Sequence, residues 1–248
     1  MPRFCQSRRQ IISPLNPFED LTTLKTNTKK SDSSDQKRTA RRNPKASKET
    51  LIRATLDTIA EIGITDTTVS KIIQKAELSR GMIHLHFGGK DQLLVAAVHS
   101  TSIEYYQEVD RRVAMAGNNP ADIVMAVIEA DLSETLLNER SVRIWHAFRG
   151  VARTNPEIAR YSSTRDRRLR DMIRGAFDTL AEGGDPDEAR VLARDATSGT
   201  LALLEGMWVD FMSNTDDFSR PVAVSIVCRF LAGLFPSHFE NRRQPETP

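Results

Sequence analysis

Between Ser47 and Leu94 the apolar residues mark out three short helices in a row, a pattern that few folds can use. Ile52, Leu56, Ile59 and Gly63 step by four, three and four, which is one stripe on a helix beginning near Ser47. Gly63 is placed to end it, because glycine takes the left-handed conformation of a helix terminus without a steric penalty. Asp66, Thr67 and Thr68 then offer N-cap oxygens to a second helix with Val69, Ile72, Ile73 and Ala76 on one face. Leu78 is expected to plug the core and Ser79 to cap a third helix, Arg80 to about His86. In that helix Ile83 and Phe87 point inward, while Arg80, Gly81, Met82 and His84 stay exposed. Two short helices joined by a tight turn, the second opening on small and basic residues, lay a recognition helix into a DNA major groove.

The run Phe87-Gly88-Gly89-Lys90-Asp91-Gln92-Leu93-Leu94, after TTVSKIIQKAELSRGMIHLH, resembles the closing signature of the TetR family of repressors. In that family an F-x-x-K-x-x-L pattern ends the motif and opens a fourth helix. The resemblance spans the first helix through the start of the fourth, and it implies DNA contacts from Thr68, Ser79, Arg80, Gly81, Met82, His84 and Lys90. Two positions depart from the family. Glu77 stands where the turn usually has glycine, and is expected to adopt a strained or alternative turn. His84 stands where tyrosine is usual, and is expected to weaken a phosphate contact.

A formal net charge of +2 over 248 residues says little about nucleic acid, but its distribution says more. Residues 1 to 48 hold twelve Lys or Arg against four acids, an excess of eight positive charges in front of the motif. Residues 1–46 lack periodicity and are rich in Ser, Thr, Asn and Lys, so they read as a disordered basic leader. Two roles stay open for it: a solvated tail, or an arm that touches phosphate or enters the minor groove. It lacks the apolar stretch of a secretory signal, and no window of the chain approaches a membrane span. Cys5 and Cys228 fall in unlike settings and do not form a disulfide framework; Cys228 reads as a small core residue. A cytoplasmic protein is expected.

After Lys90 the pattern is helical throughout. Leu93, Leu94, Ala97, Val98, Ile103 and Tyr106 continue the fourth helix to a turn at residues 116–122. Helices are expected from Ile123 to Leu137, around Val142, Trp145, Phe148 and Val151, from Pro156 to about Ala181, from Ala189 to about Met212, and from Pro221 to about Phe235. The fold class is therefore all-α, a helix-turn-helix DNA-binding domain at 47–94 joined to a helical effector-binding and dimerisation bundle at 95–238, with a disordered tail at 239–248. The last two helices are the most apolar. Part of the set Leu201, Leu203, Leu204, Met207, Val224, Val227, Leu231 and Leu234 is expected to pack on a second subunit, the rest being ordinary core. A homodimer suits a duplex read at two half-sites.

The run Leu203-Leu204-Glu205-Gly206-Met207-Trp208 resembles the L-I-D-G-L-W stretch of the betaine-synthesis regulators, a choline-responsive branch of the same family. The resemblance implies a small-molecule effector, choline or another cationic or apolar compound. A quaternary ammonium needs aromatic faces and a nearby carboxylate. Trp145, Phe148, Glu205 and Trp208 are the ligand-binding candidates, with Tyr105 and Tyr106 in reserve; as ordinary core, the rings need no ligand, and Glu205 needs only an arginine. Residues 140 to 170 also carry nine arginines, with Glu139, Glu157 and Asp166 as the nearby acids. A solvated helix face accounts for them, and an anionic effector pocket is the sharper alternative.

No catalytic constellation is visible. His84, His86, His99, His146 and His238 fit no HExxH or paired-Cys pattern, and the chain has no P-loop, GxGxxG or GxSxG. No metal, cofactor or enzymatic activity is expected. A ligand-responsive repressor is the leading reading, ahead of a DNA-binding architectural protein without an effector and of a helical enzyme or scaffold.

Overall fold

The computed structural model describes residues 44–162 and 167–242, and among them every regular element is a helix. The first four are α1 (Pro44–Asp66), α2 (Val69–Ala76), α3 (Arg80–Phe87) and α4 (Lys90–Ala116). They are followed by α5 (Pro120–Asp131), α6 (Glu139–Ala152), α7 (Pro156–Ser162), α8 (Arg167–Leu180), α9 (Pro186–Ser213), α10 (Arg220–Leu234) and α11 (Pro236–Phe239), and a 3-10 turn at Glu240–Arg242 closes the described chain. The leader up to residue 43 and Cys5 lie outside the described residues. Pro44, Lys45 and Ala46, expected in that leader, already belong to α1.

Starts and stops follow local chemistry. Asn119 and Asp185 accept hydrogen bonds from the first backbone amides of α5 and α9, each with proline in the first turn; Asn138 caps α6 and Ser219 caps α10 in the same way. Gly63 breaks the helical path of α1 with φ 79°.

Two expected boundaries are corrected. The fifth helix stops at Asp131 instead of Leu137, because the Ser133 hydroxyl turns back to the Ala130 carbonyl at 2.7 Å and Asn138 folds onto the carbonyls of Glu134 and Thr135. Leu132, Leu136 and Leu137 are still buried, so the apolar spacing was real but belongs to a folded connection. Of the long helix expected after Pro156, the described residues give α7, packed against α4 and α6, and α8, packed against α5 and α9. The tail expected from 239 onward begins later: Phe239 is fully buried beside Phe235, which stacks on Phe177 at 5.5 Å, and Arg242 pairs with Asp122.

Two apolar cores result. The smaller unites Leu51 and Ala54 of α1, Ile72 and Ala76 of α2, Ile83 of α3 and Leu93 of α4. The larger takes Leu56 and Ile59 from α1 and Leu94, Ala97 and Val98 from α4, then spreads over the remaining helices. Helices α1 and α4 therefore belong to both cores, and a shift of either is felt on each side.

Candidate DNA-binding surface and effector core

The second and third helices stand on the smaller core. Thr68 caps α2, its Oγ1 accepting from the Lys71 amide at 3.3 Å, and Thr67 is fully buried with its hydroxyl donating to the Gly63 carbonyl. Glu77 ends α2 at φ 53° and ψ 38°, the left-handed conformation that glycine would take more cheaply. Leu78 is half-buried against the core, as its plugging role requires. Ser79 is the N-cap of α3 by backbone conformation, but its exposed side chain makes no capping bond.

On α3 the outward face is Arg80, Gly81, His84 and Leu85, spaced as neighbours on one helical side. His84 Nδ1 lies 3.1 Å from the Gly88 carbonyl, which fixes the ring at the end of the helix. Leu85 is 74% exposed, an apolar side chain aimed at solvent that sequence reasoning passed over. Its signal was positional, one residue past His84 and four past Gly81. One expectation for α3 needs correction. Met82 is half-buried, not exposed, because it packs on the smaller core beside Ile83. Phe87 faces inward as expected, packing on the same core while half-buried, with the Lys48 ammonium 5.6 Å from its ring centroid. Lys90 is the first residue of α4, half-buried and next to the backbone amides of that terminus.

The effector candidates separate into two groups in the larger core. Trp145 and Phe148 on α6 are buried, Phe148 completely, and Trp208 on α9 is buried too. Glu205 forms an ion pair with Arg149, the structural role foreseen for it. Trp208 instead directs its indole N–H to Asp131 Oδ2 at 3.0 Å, while the Tyr105 hydroxyl donates to Asp131 Oδ1 at 2.7 Å. Asp131 is fully buried, and the sequence reading did not name it. Tyr105 meets Tyr106 edge-on at 5.2 Å, and the outer face of Tyr106 carries the Arg168 guanidinium at 4.2 Å. This last contact lies in a groove of about 360 Å³ between α4, α7 and α8.

Three arginines of the arginine-rich segment tie helices together: Arg140 to Asp57 of α1, Arg149 to Glu205 of α9, Arg168 to Asp110 of α4. Asp166 and Arg165 lie outside the described residues. Burial pushes the Cys228 thiol up from its ordinary range, and its sulfur rests 3.6 Å from that of Met125, as a core residue would. Among the described residues no group of His, Cys, Asp and Glu is arranged to hold a metal ion, and no helix is long and apolar enough to cross a membrane.

Comparison with known proteins agrees with this architecture. Residues 51–97 match the family described as bacterial regulatory proteins, tetR family, and residues 120–236 match the BetI-type transcriptional repressor C-terminal family. The HTH-type transcriptional regulator BetI of Stenotrophomonas maltophilia is 36% identical over 162 residues, covering 65% of this chain and 79% of the relative. BetI 1 of Chromohalobacter salexigens is 30% identical over 159 residues, covering 64% and 75%. A crystal structure of a candidate transcriptional regulator from Pseudomonas aeruginosa PAO1 superposes with a TM-score of 0.70 at 26% identity, over 84% of this chain and 99% of that one. A TetR transcription regulator from Haloarcula marismortui shares the fold at a TM-score of 0.63 and 17% identity, over 78% and 98%. With a helix-turn-helix on a small shared core, a helical C-terminal part of BetI type and relatives that are regulators and not enzymes, this chain is a transcriptional regulator of the TetR family.

Proposed function

We propose that the chain represses transcription as a homodimer seated on a palindromic operator, and that a small organic cation of the choline class releases it. The observation that carries the DNA half is the exposed Arg80, Gly81, His84 and Leu85 face, held outward because Ile83 is fixed in the smaller core. Arg80 and His84 offer donors to base edges, Leu85 offers an apolar contact to a thymine methyl, and Gly81 lets the backbone approach. Thr68, Ser79 and Lys90 flank that face and contact phosphate. Met82, half in the core, fixes the angle at which the face is presented. The effector half rests on the BetI-type C-terminal match and on aromatic side chains gathered about a buried carboxylate. Release follows if the cation favours an arrangement of α4 in which the two recognition helices no longer fit successive grooves.

The test is a fluorescence-anisotropy titration of the purified protein on DNA from the region upstream of its own gene, with and without millimolar choline. Specific binding that choline weakens supports both halves. Specific binding indifferent to choline leaves a repressor with another effector or none, and indiscriminate binding rejects the operator reading.

A further inference from the structure

His84 is exposed on the outward face of α3, and one of its two ring nitrogens is already committed. Nδ1 lies 3.1 Å from the Gly88 carbonyl oxygen, which can only accept, so Nδ1 carries the hydrogen of that bond. In a neutral imidazole the single ring proton is then used up, and Nε2 on the far side presents a bare lone pair. The Gly88 bond also holds the ring against the turn that leads into Lys90. DNA offers mostly acceptors to a side chain so placed: the phosphate oxygens and, in the major groove, N7 of either purine and O6 of guanine. A lone pair facing an acceptor is repelled. An imidazolium keeps the Gly88 bond and adds a second N–H donor with a positive charge behind it.

The elements packed on α3 are α1, α2 and α4. Their cations are Lys45 and Lys48 at the start of α1 and Lys90 at the start of α4, and Arg80 stands one turn before His84 on α3 itself. Of the α2 lysines, Lys71 reaches the Asp66 carbonyl and Lys75 pairs with Glu61. The acids are Glu49 on α1, Glu77 at the end of α2 and Asp91 beside Lys90. His86, the other titratable group of α3, has its Nε2 buried without a hydrogen-bond partner, which sets it off the outward face. Phosphate brought against this surface favours a charged imidazole. Resting on the DNA half of the proposed function, we propose that His84 grips DNA as an imidazolium, so that operator binding takes up a proton at Nε2. Because the linkage is reciprocal, affinity rises as pH falls. Histidine changes charge between about pH 5 and 8, which sets the window.

The full-length protein is titrated onto operator duplex and onto a scrambled duplex at fixed salt, from about pH 8 to about pH 6, the span over which an ordinary imidazole gains its charge. Wild-type operator affinity rises roughly three- to tenfold over that span. His84→Gln, neutral throughout, stays flat near the wild-type value at the alkaline end. His84→Lys, charged throughout, stays flat and above that value. An equal gain on the scrambled duplex makes the acceptor a phosphate, and a gain confined to operator makes it a purine edge; either supports the proposal. A flat wild-type profile overturns it. So does an affinity that falls with pH, the result expected if a neutral Nε2 accepts from an adenine or cytosine amino group. A pH dependence that survives in His84→Gln overturns it too, since the proton is then taken up elsewhere. Should the variants fail to fold, calorimetry of the wild type in buffers of unlike ionisation heat decides: proton uptake on binding supports the proposal, and none overturns it. Absence of specific operator binding at every pH is instead the failure of the DNA half of the proposed function.

Discussion

Glu77 shows how a single side chain can be read from sequence, since a non-glycine residue between Ala76 and Leu78 has to turn the chain between two helices. It does so at φ 53°, and among the described residues no other non-glycine residue has positive φ. Replacing it with glycine should raise stability by about 0.5 to 1 kcal/mol, the relief of left-handed strain less the greater freedom glycine gives the unfolded chain. Urea unfolding measures this, and a lower midpoint contradicts it. Lys90 is the complementary case, a residue whose value lies in binding and not in folding. Lys90→Ala should weaken all DNA sequences alike and reduce the slope of log affinity against log salt by about 1, with thermal stability nearly unchanged; an unaltered slope rejects the phosphate contact. Asp131 was legible in principle, because it stands three, four and seven residues after Ile128, Val127 and Val124, all fully buried. An acid in phase with the apolar stripe of a helix is a signal, but the surrounding run is so apolar that periodicity alone drew the eye past it. What no pattern could supply were its partners, which come from positions 26 and 77 residues away.

At the level of elements, caps and breakers were legible and the partners of each helix were not. Gly63 and the turn at residues 116–122 mark real boundaries, since such signals act within one turn of the chain. In the region from 156 to 181, α7 and α8 carry compatible helical spacing while packing on different neighbours, because periodicity reports a face without naming what covers it. Helix α4 shows how much charge a single element settles internally. Glu108 accepts from Arg111 at 2.8 Å and from Arg112 at 2.7 Å, three and four residues on, the orientation that suits a helix best. Hydrogen bonds from Arg111 and then Arg112 hold its carboxyl down at about 2 against an ordinary 4.5. A folded-state value below the unfolded one means stabilisation that is complete above 4.5 and is lost as pH falls toward 2. The difference in urea midpoint between wild type and Glu108→Gln should accordingly shrink across that interval. A difference independent of pH would show that the carboxyl titrates alike in both states. Arg111 is largely exposed, so solvent screening keeps the effect small.

For the whole molecule, the proposed dimer asks which apolar surface remains after the single chain has satisfied itself. Of the eight residues expected to divide between core and partner, Leu201, Leu204, Val227 and Leu231 are buried within the chain, and Leu203, Met207, Val224 and Leu234 are half-buried. The surface left outside is elsewhere on the same helices. Val191 and Val209 are eighteen residues apart, five full turns, and so share one side of α9; they are 45% and 42% exposed. Exposed Ser198 and Ala202 lie between them, Met212 extends the stripe, and Val222 on α10 is 52% exposed. Hydropathy did not mark this face because its middle is small and not greasy, and small residues are what allow two helices to approach closely. A second copy would cover these residues and place two copies of α3 on one side of a duplex, where half-sites are about 34 Å apart. Val209→Glu puts a charge toward the C-terminal end of the stripe without disturbing the core, because the valine is already partly in water. The variant should keep its helix content and melt as a folded protein, sediment as a monomer, and lose most of its operator affinity, since each half-site is then held by one module alone. A folded Val209→Glu protein that still sediments as a dimer would move the interface off this side of α9, while a monomer with undiminished operator affinity would remove the need for two recognition helices.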